Sequence, residues 1–334
     1  MSTKELRVGV VGMGNMGRCH SDHMLKIEGV KLVALCDEFS KDIADKFKNE
    51  KNIDVNTYDN YDEMLEKEDL DIMYVCLPPF CHNGQVEKAA AKGLHVFLEK
   101  PIALDVNRGK SMVEAIEKNH VYSQVGHQMR FGNAVKRFKE LVASGQAGQP
   151  MMFIGRYECN SLHSPWWRVK EKCGGQLFEQ VIHLYDMAQY LMGNVKECSG
   201  RVANLGHKDV EGYTIEDTSI SNLVFENGTL GVITGSNCAI KNEWNAAFRV
   251  VCQNMTMDFV DQNHATIVWT NKSEGSIEKI DGTNDVSLME DEYFISVVRN
   301  EKPEFANVKE GYSDLKLVSA VVESSENDGK VVKL

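Results

Sequence analysis

The chain has 334 residues, which favours two domains, and its 43% hydrophobic and 26% charged residues suit a globular protein with real cores. A formal net charge of −12 repels phosphate backbones and argues against nucleic acid as a partner. No run approaches the ~18 uninterrupted apolar residues of a membrane helix, and the opening MSTKELRVGVVGMG lacks the basic region and cleavage site of a signal peptide. The nine cysteines include no CxxC pair, and several sit in strand-like runs, so free thiols in a reducing cytoplasm are expected rather than disulfides or a metal site.

The first third alternates between two patterns. Near-continuous apolar runs at 6–12, 30–37, 71–77, 94–100 and 121–126 read as buried strands. Helical spacing fills 15–28, 39–49, 81–92 and 105–119, and the charged runs 41–51 and 62–71 read as solvated helix faces. Strand–helix alternation predicts an α/β Rossmann domain with a doubly wound parallel sheet over residues 1–125. A helix over 132–144 then leads to the breaker cluster GQAGQP. After it come the runs MMFIGRY, VANLG, SISNLVF, TLGVITG, AFRVVCQ and ATIVWT, with Asn227-Gly228 as a hairpin turn between two of them. Residues 126–334 are therefore expected to form an α+β domain around an antiparallel sheet. Helices are expected at 174–192, 287–300 and 308–326, the last free to pack back on the first domain. Methionines 13, 16, 24, 151, 152, 187 and 192 are expected to fill core and interdomain gaps.

The first strand runs into Gly12-Met13-Gly14-Asn15-Met16-Gly17, a GxGxxG motif that follows a strand and opens a helix. Gly12 permits the tight turn, Gly14 leaves room for a pyrophosphate, and Gly17 lets the helix pack on the strand. The helix N-terminus, at Asn15 and Met16, suits an anionic diphosphate. Asp37 ends the second strand, where a carboxylate hydrogen-bonds the adenine ribose; Asp37-Glu38-Phe39 holds no arginine, which favours NAD over NADP. The alternative reading of Asp37 is a strand-end helix cap, which the register of strand, glycines, helix and acidic residue disfavours.

Four stretches resemble one family: VGVVGMGNMGRCH (8–20), VCLPPFCHNGQVEKAAAKGLHVFLEKPIAL (75–104), SQVGHQMRF (123–131) and GGQLFEQVIHLYDMAQYLMG (174–193). Their order and spacing are similar to the Gfo/Idh/MocA family of oxidoreductases, which includes glucose-fructose oxidoreductase and inositol dehydrogenase. The resemblance implies an N-terminal Rossmann domain, a C-terminal α+β domain with a large, open, mostly antiparallel sheet, a nicotinamide cofactor between the domains, and homodimers or homotetramers formed through that sheet. It makes Lys100, of Glu99-Lys100-Pro101, and His183 the catalytic pair. Glu179 stands where many members carry aspartate. Leu77-Pro78-Pro79 and His82 fall where the family approaches the nicotinamide ribose, although His82 could equally be a helix-start residue. Gln128 and Arg130 fall where family members contact cofactor and substrate.

The chemistry suits these residue types. Oxidising a secondary alcohol requires the hydroxyl proton to leave, and histidine titrates near neutrality. A lysine ammonium stabilises the developing alkoxide. Glu179 and His183 lie four apart in the expected helix and so share a face, with Asp186 nearby as a structural partner. In the loop Asn160–Arg168, Trp166, Trp167 and Arg168 are costly to expose; they read as lining the substrate or cofactor cleft, with His163 and Tyr157, rather than packing at a subunit interface. The expected function is an NAD-dependent dehydrogenase acting on a polyol, sugar or glycoside. Two alternatives stay open: a redox-cycling hydrolase, lyase or epimerase with tightly held NAD, and a non-catalytic NAD- or sugar-sensing regulator.

Overall fold

The computed structural model describes residues 5–38, 41–241, 243–271 and 276–334, so Phe39 lies outside the described residues. The chain divides into two compact units, Met1–Gly126 with Ser287–Tyr312, and His127–Val286 with Ser313–Leu334.

The first unit is built on β1 (Leu6–Val11), β2 (Val30–Cys36), β3 (Asn56–Tyr58), β4 (Ile72–Val75), β5 (His95–Leu98) and β6 (Ser123–Val125), in the spatial order β3-β2-β1-β4-β5-β6. Every pairing is parallel. The helices are α1 (Asn15–Met24), α2 (Lys41–Lys51), α3 (Tyr61–Lys67), α4 (Gln85–Ala91) and α5 (Val106–Asn119). Val8, Val10, Val11, Ile72, Tyr74 and Val75 are fully buried, which is why these strands read as unbroken apolar runs. The strand order reverses between β1 and β4, and ligands of such sheets bind at the carboxyl ends beside that switch. The strand β3 escaped sequence reading because it is short and polar. The expected helix 81–92 splits into a 3-10 turn at Pro79–Cys81 and α4, with Gly84 at φ +91 between them.

The second unit opens with α6 (Asn133–Ala143), followed by β7 (Pro150–Cys159), the short α7 (Lys170–Cys173) and α8 (Ile182–Met192). It continues through β8 (Val195–Ala203), β9 (Thr218–Phe225), β10 (Leu230–Ser236), β11 (Trp244–Cys252), β12 (Met255–Phe259), β13 (His264–Trp269) and β14 (Ile277–Asp281). Two helices follow, α9 (Val286–Val298) and α10 (Val308–Glu326), and β15 (Val332–Lys333) closes the chain. The nine strands run β14-β13-β12-β11-β7-β10-β9-β8-β15. The β7–β10 pair is parallel and the other pairs are antiparallel. Asn227-Gly228 turns β9 into β10 as expected, with Gly228 at φ +85. One strand was misplaced: VANLG was expected to be extended, whereas β8 spans 195–203 and leaves Asn204–Gly206 in a loop.

Alternation along these strands separates two faces. Phe153, Leu223, Phe225, Ile233, Phe248 and Val250 are buried on one. The other carries an exposed cross-strand row that includes Ile277, Val268, Met152 and Leu230. Met151 and Met152, expected to fill gaps, are 47% and 40% exposed.

The assignment of residues 126–334 to one domain needs a correction. Residues 287–312, which hold nearly all of α9, belong to the first unit. Phe294 lies 6.2 Å from the Tyr74 ring and 5.9 Å from that of Phe97, and Ile295 and Val298 join the same core. A helix apolar on several sides shows no preferred partner in its own sequence; three-dimensional packing chose it.

Candidate active site

The glycine motif forms the turn its spacing predicted. Gly12 has φ +89, and a Cβ there would lie 2.4 Å from the Cys76 carbonyl oxygen. A Cβ on Gly17 would lie 1.8 Å from the Gly12 carbonyl oxygen, so α1 packs against this turn through bare backbone. Gly14 differs, because a Cβ there would meet nothing within 4 Å. It is the exposed N-cap of α1 and makes no side-chain cap. Asn15 is exposed and Met16 half-buried beside it. The first amides of α1 therefore border open space with a partial positive charge, a cradle that fits a diphosphate.

Asp37 is only 6% exposed, and its Oδ2 accepts a hydrogen bond of 2.9 Å from the Met13 backbone N–H inside the glycine loop. The carboxylate thus braces the cradle as well as ending β2. Beyond β4, Leu77 and Pro79 are buried and Pro78 half-buried. His82 Nε2 donates to the Leu77 carbonyl at 3.3 Å, and burial pushes its imidazole down to about 4, so it is neutral near pH 7. In this position it clamps the proline turn.

Beyond β5, Glu99 is 6% exposed while Lys100 is half-buried. Glu99 Oε2 accepts the Lys100 backbone N–H at 3.2 Å, and Oε1 accepts His20 Nε2 at 3.0 Å. His20 Nδ1 meets both Asp291 oxygens at 2.9 Å, and His23 Nδ1 meets Oδ2 at 2.6 Å. The cluster therefore joins α1, α9 and the Glu99-Lys100-Pro101 turn. Sequence reading missed His20, His23 and Asp291. The only local signal was two histidines spaced three apart in α1; Asp291 is 271 positions from His20.

In the second unit, Gly174 and Gly175 adopt φ +79 and +123. A Cβ on Gly175 would lie 2.4 Å from the carboxylate of Glu216, which accepts the Leu177 N–H at 3.0 Å. Burial holds that carboxyl above its ordinary value. The chain then enters a π-helical turn, Leu177–Val181, before α8. This corrects the expectation of one regular helix over 174–192. Glu179 lies in the π turn and His183 in the first turn of α8, with exposures of 8% and 9%. Single π turns recur at functional sites, because they re-aim side chains that α-helical spacing would fix.

Arg130, expected at substrate, is 3% exposed and directs its guanidinium onto Asp186. It also lies 4.7 Å from the Tyr190 ring. These contacts hold Arg130 against Asp186 and the Tyr190 ring. Gln128 stays half-buried in the 3-10 turn at Gln128–Phe131. His127, not singled out from the sequence, is buried 3.1 Å from Asp314 Oδ2, and neighbouring carboxylates raise its imidazole above the ordinary value against the opposing desolvation.

The loop 160–168 also differs from expectation. Trp167 is 5% exposed and clusters with Cys173, Tyr213 and Ile215, while Trp166 is half-buried against the cluster. Arg168 donates to the Leu162 and His163 carbonyls at 2.6 and 3.1 Å, which folds the loop on itself. Trp167 and Arg168 thus hold the loop's shape. His163 is half-buried in the same loop. It lies 4.2 Å from the Trp167 ring, and the Gln180 amide donates to its Nε2 at 2.9 Å, which makes that nitrogen an acceptor. Gln180 Oε1 in turn accepts Cys159 Sγ at 3.2 Å, and Cys159 Sγ also reaches Asn237 Oδ1 at 3.0 Å. This network ties the loop to the π turn that carries Glu179. Tyr157 stands half-buried on β7, its phenol pushed up by burial.

Residues 6–127 match the family model described as an oxidoreductase family with an NAD-binding Rossmann fold, and residues 135–258 match the GFO/IDH/MocA C-terminal domain. The scyllo-inositol 2-dehydrogenase (NAD(+)) of Bacillus subtilis is 29% identical over 234 residues, covering 70% of this chain and 67% of that protein. The 2,7-anhydro-N-acetylneuraminate hydratase of Mediterraneibacter gnavus is 31% identical over 260 residues, covering 73% and 63%. Matches to the first curated relatives span 63–70% of their lengths. A levoglucosan dehydrogenase in complex with NADH and L-sorbose superposes with a TM-score of 0.90 at 17% identity, covering 99% of each chain, a likeness of fold.

Proposed function

The chain belongs to the Gfo/Idh/MocA family of NAD-binding oxidoreductases, and we propose that it is a dehydrogenase that oxidises a secondary alcohol of a cyclic polyol, sugar or glycoside. The open cradle at Gly14, braced by Asp37 through Met13, is the observation that carries this reading. Its residues fit a dinucleotide: the amides of α1 hold the diphosphate, and Asp37 binds the adenine ribose. Bound there, the nicotinamide would supply the hydride chemistry. Lys100 stabilises developing alkoxide charge, and His183 takes and returns the hydroxyl proton. Glu179 orients His183 or holds a neighbouring substrate hydroxyl. His163 and Tyr157 belong to the substrate pocket. The dehydrogenase relatives that act on inositol and levoglucosan support the substrate class.

A second reading has its own support. The hydratase relative is named for water addition or removal rather than net oxidation, and Glu179 stands where many family members carry aspartate. In this reading NAD stays bound and cycles.

The nine free cysteines support a reducing, cytoplasmic setting. The exposed apolar row on the second unit's sheet supports self-association through that face.

The deciding experiment follows absorbance near ~340 nm after NAD and a panel of inositols, aldoses and anhydrosugars are added. A rise with one compound, lost in Lys100→Ala and His183→Ala, supports the dehydrogenase. Protein that carries nucleotide and converts an anhydrosugar without net absorbance change supports the cycling enzyme.

A further inference from the structure

We propose that His20 is a positioning residue that sets Lys100 by holding the carboxylate of Glu99. The inference rests on the reading of Lys100 as the lysine that meets the reacting oxygen. Glu99 is held on both oxygens, by His20 Nε2 at 3.0 Å and by the Lys100 backbone N–H at 3.2 Å. Gly126 closes a further side, since a Cβ there would lie 2.9 Å from each oxygen. The position of this carboxylate therefore fixes where the backbone of Lys100 begins.

His20 is itself immobilised. It is 0% exposed, and its ring lies 5.4 and 4.7 Å from those of Tyr74 and Phe97. Both nitrogens face carboxylates, Glu99 on one side and Asp291 on the other, so the ring serves both by carrying two protons. Asp291 then meets His23 Nδ1 at 2.6 Å. The string Glu99, His20, Asp291, His23 alternates in charge and sums to zero within the interior. Buried ion strings are weak sources of stability compared with apolar packing, and their better-attested use is to specify one arrangement. Here the arrangement has a functional end. The helix α1 carries the phosphate cradle at its N-terminus and His20 about one and a half turns further in, so one rigid element sets both the cradle and, through Glu99, the lysine.

Two substitutions separate positioning from simple support. In His20→Asn the amide reaches where Nδ1 stood and keeps the Asp291 contact; in His20→Gln it reaches where Nε2 stood and keeps the Glu99 contact. Each removes one of the two buried bonds, so a merely structural histidine predicts matched losses in both variants. Positioning through Glu99 predicts that His20→Asn lowers kcat at least about tenfold more than His20→Gln, while KM for NAD and Tm stay comparable between the two. Equal kcat losses, or a larger loss in His20→Gln, overturn the proposal. If the wild-type protein turns over nothing in the polyol and sugar panel, the reading of Lys100 as a dehydrogenase lysine fails separately. The rate of Lys100 acetylation by an N-hydroxysuccinimide ester, quantified by mass spectrometry, then supplies the readout. A change of about threefold or more in His20→Asn relative to His20→Gln supports positioning, and equal rates refute it.

Discussion

Replacing Asp37 by alanine tests the cofactor reading most directly, because the structure gives this carboxylate two separable jobs. It holds the Met13 N–H at 2.9 Å from a buried position, and it is proposed to bind the ribose hydroxyls. A hydrogen bond to a charged acceptor is worth about 1.5–3 kcal/mol. Losing one at the loop or the ribose raises the Kd for NAD by about 10–100-fold. The extra phosphate of NADP would sit near the same carboxylate. Two like charges ~4 Å apart at an effective dielectric of 20 repel by about 4 kcal/mol, less once solvent screening is counted. Asp37→Ala removes that repulsion, so NADP affinity should fall less than NAD affinity or even improve. The NAD/NADP preference should contract by about 100-fold. Titration calorimetry of wild type and variant with both nucleotides gives all four constants. If the variant weakens NAD and NADP equally, Asp37 acts only as a brace on the glycine loop. If the wild-type protein binds NADP more tightly, the assignment of NAD fails outright.

Other expectations follow from the same geometry. Gly14→Ala should leave Tm within about 1 °C of wild type yet weaken NAD binding, since its Cβ occupies the cradle and touches no protein atom, whereas Gly17→Ala should lower Tm by several degrees because its Cβ collides with the Gly12 carbonyl. A large Tm loss in Gly14→Ala would contradict the open-cradle geometry. His23, raised from 6.5 to about 9 chiefly by its Asp291 hydrogen bond, has a folded value above its unfolded one; its stabilisation is complete below pH 6.5 and disappears as pH rises through about 9. His82, depressed to about 4, acts oppositely, its contribution present above pH 6.5 and lost as pH falls through about 4. Thermal unfolding should therefore show a maximum near pH 6–7, and His23→Gln should flatten the alkaline side; an unchanged alkaline slope would remove His23 from that account. Finally, Met152→Lys with Leu230→Lys should shift the mass by light scattering from oligomer towards monomer, because both side chains stand exposed in the apolar row. An unaltered oligomer would place the interface elsewhere.

Local chemistry made much of this protein legible. The fingerprint at residues 12–17 reads from sequence because a turn that admits a diphosphate tolerates almost nothing but glycine at Gly12 and Gly17, and the structure shows the colliding carbonyls. Parallel strands read well because burial on both faces leaves an unbroken apolar run. Hairpin strands read where alternation and Asn227-Gly228 coincide. The tertiary structure alone decided what depends on distant partners. The assignment of α9 to the first unit rests on Asp291 meeting His20 and on Phe294 joining Tyr74 and Phe97. The inward turn of Trp167, the use of Arg130 on Asp186, and the π turn under Glu179 have the same kind of origin. A sequence states which side chains can bear charge or fill space. Which of them become neighbours depends on how separate elements pack, and at this candidate site those neighbours decide the role each residue can play.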